Sequence, residues 1–417
     1  MAAEPITPID VAAIRRDFPV LEKPTRAGKR LVFLDSAASS QKPRPVLEAM
    51  TGFYETEYAN IHRGVYELAE ASTARYEGAR ARTARFIGAS SPNEVIFTKN
   101  ATEGINLVAR SWGGANLGPG DAVVLTQLEH HADIVPWFQL QAEKGFEIRW
   151  IPITADAQLD LTDLDRLLDG AKLVGLTAMS NVTGTLTPVR RITDAAHAAG
   201  ALVLVDACQL VPHVATDVAA LGADFAAFSA HKMCGPSGIG VLWGREALLD
   251  AAPPFLGGGG MILDVTLEGF TPGALPAKFE AGTPPIAEAV GLHAAIEYLD
   301  AIGMERIREH EVTLTGYALR TLTERLGDRL TIHGPAEPAA RGGVLSLALA
   351  DVHAHDVSQV LDEHGVCIRP GHHCAKPLMR VLGTNATARA SFYVYNDTDD
   401  VDCLAEALEA AADFFAF

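Results

Sequence analysis

The chain has 417 residues, 48% of them hydrophobic and 21% charged, with a formal net charge of −18. That length exceeds one compact core of ordinary size, so two domains, or one large domain with an appendage, are expected. The negative charge and the lack of any Lys/Arg run argue against nucleic acid as a partner, and no apolar stretch approaches the roughly 18 residues of a membrane span.

The start, MAAEPITPID, lacks the basic residues and apolar run of a signal peptide. Five cysteines, an odd number with no C-x-x-C pair, do not make a disulfide framework. A reducing cytoplasm is therefore the expected compartment.

In chain order, an amphipathic helix is predicted over Pro8–Asp17, followed by a polar arm to about residue 30. From Leu31 onward, short apolar runs alternate with helical patterns. Strands are predicted at Glu94–Thr98, Asp121–Thr126, Glu147–Ile153, Lys172–Met179, Ala201–Asp206, Asp224–Ser229 and Gly240–Trp243, with helices such as Thr102–Ser111 and Val189–Ala199 between them. Several strands are continuous apolar runs, as burial on both faces requires. The alternation predicts an α/β fold whose large domain has a mostly parallel sheet covered by helices.

The four glycines 257–260 predict a mobile loop. From Met304 a polar helical pattern runs to about Gly327. Strands at Leu330–His333, Val344–Leu349 and Arg389–Tyr395, a helix at His355–Gly365 and a closing helix from Asp397 follow. This is the pattern of a smaller α/β C-terminal domain. The expected division is 31–300 for the large domain, and 1–30 with 301–417 for the small domain and its N-terminal arm.

Five segments carry candidate chemistry. Lys232, in Ser229-Ala230-His231-Lys232, closes a buried strand beneath the glycine-rich turn 235–240. A desolvated lysine there becomes a usable amine for Schiff-base chemistry. Asp206 ends the apolar run 201–205, at the strand end where open α/β sheets bind ligands; an acid there can pair with a protonated pyridine nitrogen. The strand–turn–helix of residues 94–104 offers an anion site with the Thr102 hydroxyl, although taken alone it reads more readily as capping by Asn100 or Thr102. His130, in Glu129-His130-His131-Ala132, can lie on an aromatic ring and exchange protons. It has no Cys or carboxylate at zinc spacing, so no metal is expected. Finally, Arg369-Pro370-Gly371-His372-His373-Cys374 surrounds one thiol with three potential cations, which favour the thiolate that attacks sulfur. Cys208, Cys367 and Cys403 read as structural, and Cys234 is ambiguous.

Those segments, with Ala101-Thr102-Glu103-Gly104-Ile105-Asn106, Ser180-Asn181-Val182-Thr183-Gly184, Asp206-Ala207-Cys208-Gln209 and Phe279-Glu280-Ala281-Gly282-Thr283-Pro284, resemble the SufS group of cysteine desulfurases. These are fold-type I, class-V aminotransferase-like enzymes that use pyridoxal 5'-phosphate. The likeness runs in order from about residue 31 to the end.

It implies that Lys232 bonds the cofactor and carries the Cα proton. Asp206 would meet the ring nitrogen, Gln209 the phenolic oxygen, and His130 the ring face. Thr102, Ser229 and His231 would hold the phosphate, together with Thr283 of the partner subunit in a homodimer. Ala101 is counted with the cofactor-binding set, although it stands where many relatives carry Thr; Ala207 likewise replaces Gly. Asn181, Arg389 and Arg369 would bind the L-cysteine substrate, and Cys374 on a short loop would accept the sulfur.

The resemblance also implies a sulfur-acceptor protein and a role in iron–sulfur cluster assembly. In His353-Ala354-His355-Asp356-Val357, His355 stands where the SufU-dependent branch is thought to engage the acceptor's zinc, so a SufU-type acceptor is expected over a SufE-type one. A helix N-terminal histidine without a role is the alternative. The rival functions are a selenocysteine lyase on the same residues, a kynureninase-like hydrolase that would not need Cys374, and a non-catalytic assembly scaffold.

Overall fold

The computed structural model describes residues 7–26 and 28–416. Its strands in chain order are β1 (Val32–Phe33), β2 (Val95–Thr98), β3 (Ala122–Thr126), β4 (Glu147–Ile151), β5 (Ala171–Thr177), β6 (Leu202–Asp206), β7 (Phe225–Ser229), β8 (Gly240–Gly244), β9 (Ile262–Val265), β10 (Phe270–Pro272), β11 (Leu330–His333), β12 (Val344–Leu349), β13 (Val366–Cys367), β14 (Arg369–Gly371) and β15 (Thr387–Ser391).

Seven of them form one sheet in the order β2-β8-β7-β6-β5-β3-β4. Only β8 runs against its neighbours; the other adjacent pairs are parallel. Side chains alternate between two apolar layers. Val95, Phe97, Val203 and Val205 enter one, and Ile96 and Leu204 enter the other. This is the period of two that a strand imposes. Because both layers are apolar, the strands read as unbroken hydrophobic runs.

A second, antiparallel sheet has the order β11-β12-β15-β14. It shares a separate core with the helices Met304–Leu326, Ala354–Glu363 and Thr398–Phe414. Val32 and Leu34 belong to that same core, and β1 pairs in parallel with β13. The segment around β1 is therefore packed into the core of the C-terminal region.

The predicted strands and helices recur with shifted ends, and three features differ. The helix predicted at Thr102–Ser111 starts at Ala101 and loosens after Leu107 into a wide-turned stretch, Val108–Gly113. The strand predicted at Arg389–Tyr395 is Thr387–Ser391. It leaves the sheet when the Phe392 N–H turns to the Gly343 carbonyl at 2.7 Å and the Tyr393 N–H meets Asn396 Oδ1 at 2.9 Å. The glycine run 257–260 is irregular as expected, but it leads into a hairpin that was not predicted, β9–β10, which carries Leu263, Leu267 and Phe270 into solvent.

One buried pair fastens the segment around Glu280. Its carboxylate accepts from Arg80 Nη1 at 2.6 Å and Nη2 at 2.8 Å, from the Tyr76 hydroxyl at 2.9 Å, and from the Phe97 N–H on β2 at 2.7 Å. Removing one partner of a buried pair strands the other charge. Glu280→Ala is expected to cost about 3–5 kcal/mol, read as a lower urea midpoint, and Glu280→Gln less. A midpoint unmoved by Glu280→Ala would contradict this role.

Candidate active site

The carboxyl ends of β2, β3, β5, β6 and β7 point the same way, and the loop between β14 and β15 closes over them. The cleft between measures about 560 Å³; its walls include Lys232, Asp206, His130, Ser229, Arg389 and Cys374. Ligands in sheets of this kind bind at such strand ends.

Lys232 lies in the turn Ala230–Lys232 directly after β7. Gly235 lets the chain double back, since a Cβ there would sit 2.9 Å from the Ala230 oxygen. The lysine is half-buried, and its amine makes no hydrogen bond or ion pair among the described residues. Asp206, 5% exposed, ends β6 and accepts the Cys208 N–H at 2.9 Å through Oδ1.

His130 Nδ1 accepts the Ala132 N–H at 3.0 Å, which puts the ring proton on Nε2. Burial pushes this imidazole down to about 4. Asn100 caps the helix Ala101–Leu107, accepting the Glu103 N–H at 3.0 Å, and Ser229 Oγ accepts the Ala101 N–H at 2.9 Å. Thr102 is exposed, and its hydroxyl makes no hydrogen bond among the described residues. Gly240 on β8 keeps this corner tight, because a Cβ there would lie 2.5 Å from the Asn100 backbone.

The thiol loop is tied to the large sheet by backbone groups. The His131 N–H donates to the Cys374 carbonyl at 2.7 Å, and His131 Nε2 accepts the Lys376 N–H at 3.0 Å. Asn181 Nδ2 donates to the His373 carbonyl at 2.8 Å, and Arg389 Nη1 donates to the Asn181 carbonyl at 2.8 Å. His373 and Cys374 both take positive φ, 54° and 55°, a conformation these bonds hold in place. Cys374 is exposed, whereas Cys208 and Cys234 are buried and Cys367 and Cys403 half-buried.

One expectation is corrected. His373 is not a cation beside the thiol: its ring is buried, with Nε2 2.9 Å from Thr387 Oγ1, and burial pushes it down to about 3. Two guanidinium groups are held beside the loop by one carboxylate. Arg369 grips Asp35 with Nε and Nη2 at 3.1 and 2.8 Å, and the buried Arg389 reaches the same carboxylate at 3.4 Å.

The structure brings together every predicted site residue but one. Thr283 is exposed and is not part of this chain's cleft wall. His355 is exposed at the lip, its ring stacked on His353 with centroids 5.4 Å apart.

Sequence reasoning missed Asp35, although it follows the apolar run Leu31–Leu34 much as Asp206 follows its own. It also missed the buried acids Glu129 and Asp133, whose carboxyls are raised well above their ordinary range, chiefly by burial.

Three buried polar atoms of cleft-wall residues, Gln209 Oε1, His373 Nδ1 and Arg389 Nε, have no partner among the described residues. Buried polar groups require one, so the wall calls for a guest that presents both a donor and an acceptor. An amine, an acid, hydroxyls at a helix start and a neutral imidazole around one cleft fit pyridoxal phosphate.

The site histidines also set an acid limit. His130 and His231 are pushed down to about 4 and His373 to about 3, each chiefly by burial. Their unfolded value is about 6.5, so the unfolded chain binds more protons and stability falls as pH drops through that window. The apoprotein's melting temperature is expected to fall by several degrees between pH 7 and pH 4, with a shallower slope in His130→Asn. A melting temperature that rises on acidification would contradict the burial.

The class-V aminotransferase profile matches residues 32–404. The chain is 50% identical over 412 residues to a probable cysteine desulfurase of Streptomyces coelicolor, covering 98% of each chain. It is 47% identical over 422 residues to a cysteine desulfurase of Haloferax volcanii, again covering 98% of each. Among solved structures, the apo cysteine desulfurase of Thermococcus onnurineus superposes with a TM-score of 0.92 at 39% identity, covering 98% of this chain and all of that one. The cysteine desulfurase CsdA of Escherichia coli gives 0.87 at 36%, with the same coverage. On this evidence the chain belongs to the class-V aminotransferase family, among pyridoxal-phosphate-dependent enzymes of the cysteine desulfurase kind.

Proposed function

We propose that this enzyme takes sulfur from L-cysteine onto Cys374, releases L-alanine, and passes the sulfur to an acceptor protein for iron–sulfur cluster assembly. The observation that carries the reading is the meeting of Lys232 and Cys374 at one cleft, from elements 142 positions apart in sequence.

Lys232, Asp206, Gln209 and His130 would hold pyridoxal phosphate, with Ala101, Thr102, Ser229 and His231 at its phosphate. When bound, the cofactor supplies a ring that takes up the electron pair left at the substrate Cα. The protein's part is to place groups around that carbon. Arg389 Nε, buried and without a partner, offers a donor to the substrate carboxylate, and Arg369 lies nearby. Asn181, whose side-chain amide is engaged with the thiol loop, aligns Arg389 through its carbonyl.

Lys232 takes the proton from Cα and returns one to the carbon skeleton. His130, neutral at working pH, packs the ring without adding charge. Cys374, as thiolate, attacks the substrate sulfur. The S–S bond forms on Cys374, the C–S bonding pair stays with carbon, and protonation there completes the methyl group of alanine.

The division into residues 31–300, and 1–30 with 301–417, belongs to the same proposal, as do a homodimer in which Thr283 of the partner subunit completes the phosphate site and a cytoplasmic setting. A SufU-type acceptor is favoured because His355 stands exposed on the cleft lip, where a neutral imidazole can reach a zinc ion.

Incubation with L-cysteine is expected to add the mass of one sulfur atom to the Cys374 peptide. Cys374→Ser should abolish that adduct, and Lys232→Ala should slow its formation by roughly 10²–10⁴-fold. An undiminished adduct elsewhere in Cys374→Ser would overturn the assignment. His355→Ala is expected to lower the SufU-stimulated rate about tenfold or more; an unchanged stimulated rate would end the SufU reading.

A further inference from the structure

The segment after β1 turns back beneath the lysine turn and meets a single atom there, the His231 carbonyl oxygen. That oxygen accepts the Ser40 N–H at 3.0 Å and, at 3.1 Å each, Ser39 Oγ, Ser40 Oγ and Lys42 Nζ. A carbonyl has two lone pairs, so four donors from one short segment make a concentrated clamp. Lys42 Nζ also donates to the Ser40 carbonyl, bracing the segment on itself. From the other side, Ser40 Oγ accepts the Cys234 N–H at 2.8 Å. The clamped peptide is the one that leads into Lys232.

We propose that Lys42 is a positioning residue for Lys232, fixing through the His231 carbonyl the turn from which the reactive amine enters the cleft. The proposal rests on the reading of Lys232 as the cofactor-bonding lysine.

Lys42 is an unusual choice for a merely structural role. No carboxylate forms an ion pair with it among the described residues, and burial pushes its ammonium down to about 8. The titratable groups that act on it or feel its charge are Cys234, whose thiol burial pushes up to about 12, and His231, pushed down to about 4. Tyr395, whose hydroxyl accepts the Gln41 N–H at 3.2 Å, is raised by burial and stays neutral. Below about pH 8 Lys42 therefore carries a positive charge, with no carboxylate partner among the described residues, 3.1 Å from the carbonyl of the peptide that leads into Lys232.

The test uses the cofactor-loaded protein without substrate and follows its visible absorption band and visible circular dichroism against pH. Lys42→Met removes the donors and the charge at similar length. It is expected to raise the band's pH midpoint by about 0.5 unit or more and to weaken the dichroism, with Lys42→Arg returning both towards wild type. If Lys42→Met does not fold, Lys42→Gln, also neutral, takes its place with the same expected shift. A lower melting temperature with an unmoved midpoint and unchanged dichroism would mean a structural role only, and would overturn the proposal. Equal shifts in the Met and Arg variants would do the same. A wild-type protein with no such band would sink the reading of Lys232, and this inference with it.

Discussion

The site depends on holding the thiol loop against the large sheet. Lys232 follows β7 and Cys374 follows β14, and these strands lie in different sheets with different cores. They are joined by a buried apolar cluster of Leu128 and Val182 with Ala375, Leu378 and Met379, and by a short set of hydrogen bonds: His131 N–H to the Cys374 carbonyl, Lys376 N–H to His131 Nε2, and Asn181 Nδ2 to the His373 carbonyl. All three hydrogen bonds use main-chain groups of the loop, so the loop's path is set without engaging the sulfur. Two consecutive residues at positive φ are strained for side chains of this size. The same bonds keep that strain in place.

Charge in the cleft is arranged around this constraint. Asp35 neutralises Arg369 and is shared with the buried Arg389, so two guanidinium groups face the thiol loop with one carboxylate between them. Desolvation keeps His130, His231 and His373 uncharged, so these three rings add no positive charge to the cleft. The Asp35 segment belongs to the chain's first strand region and pairs with β15 through the Asp35–Ser391 bridge. The N-terminal region is thus part of the site's framework, besides supplying the clamp on the lysine turn.

Much of this was legible in the sequence. The central strands β3, β5, β6 and β7 are buried on both faces, so apolar runs alone located them within two residues. Acid, amine and thiol stood out because each sits at a strand end or in a polar glycine-containing loop, where burial alone gives no reason for it. Less legible were the helices Glu67–Phe86 and Ile286–Ile302. The first mixes buried Arg80 and Ser72 with small residues, and the second is apolar on nearly all sides, so neither shows a clean stripe. Asp35, His131 and Lys42 were missed because their roles lie in contacts across 189 to 334 positions, which periodicity does not encode.

The most direct test of the central claim is a crystal structure of the protein with pyridoxal phosphate and a cysteine analogue carrying a methylene in place of sulfur. The account predicts cofactor density at Lys232 with its ring against His130, and the analogue's methylene within about 4.5 Å of Cys374 Sγ. A cofactor seated away from Lys232, or a Cys374 thiol turned out of contact with the bound analogue, would contradict it.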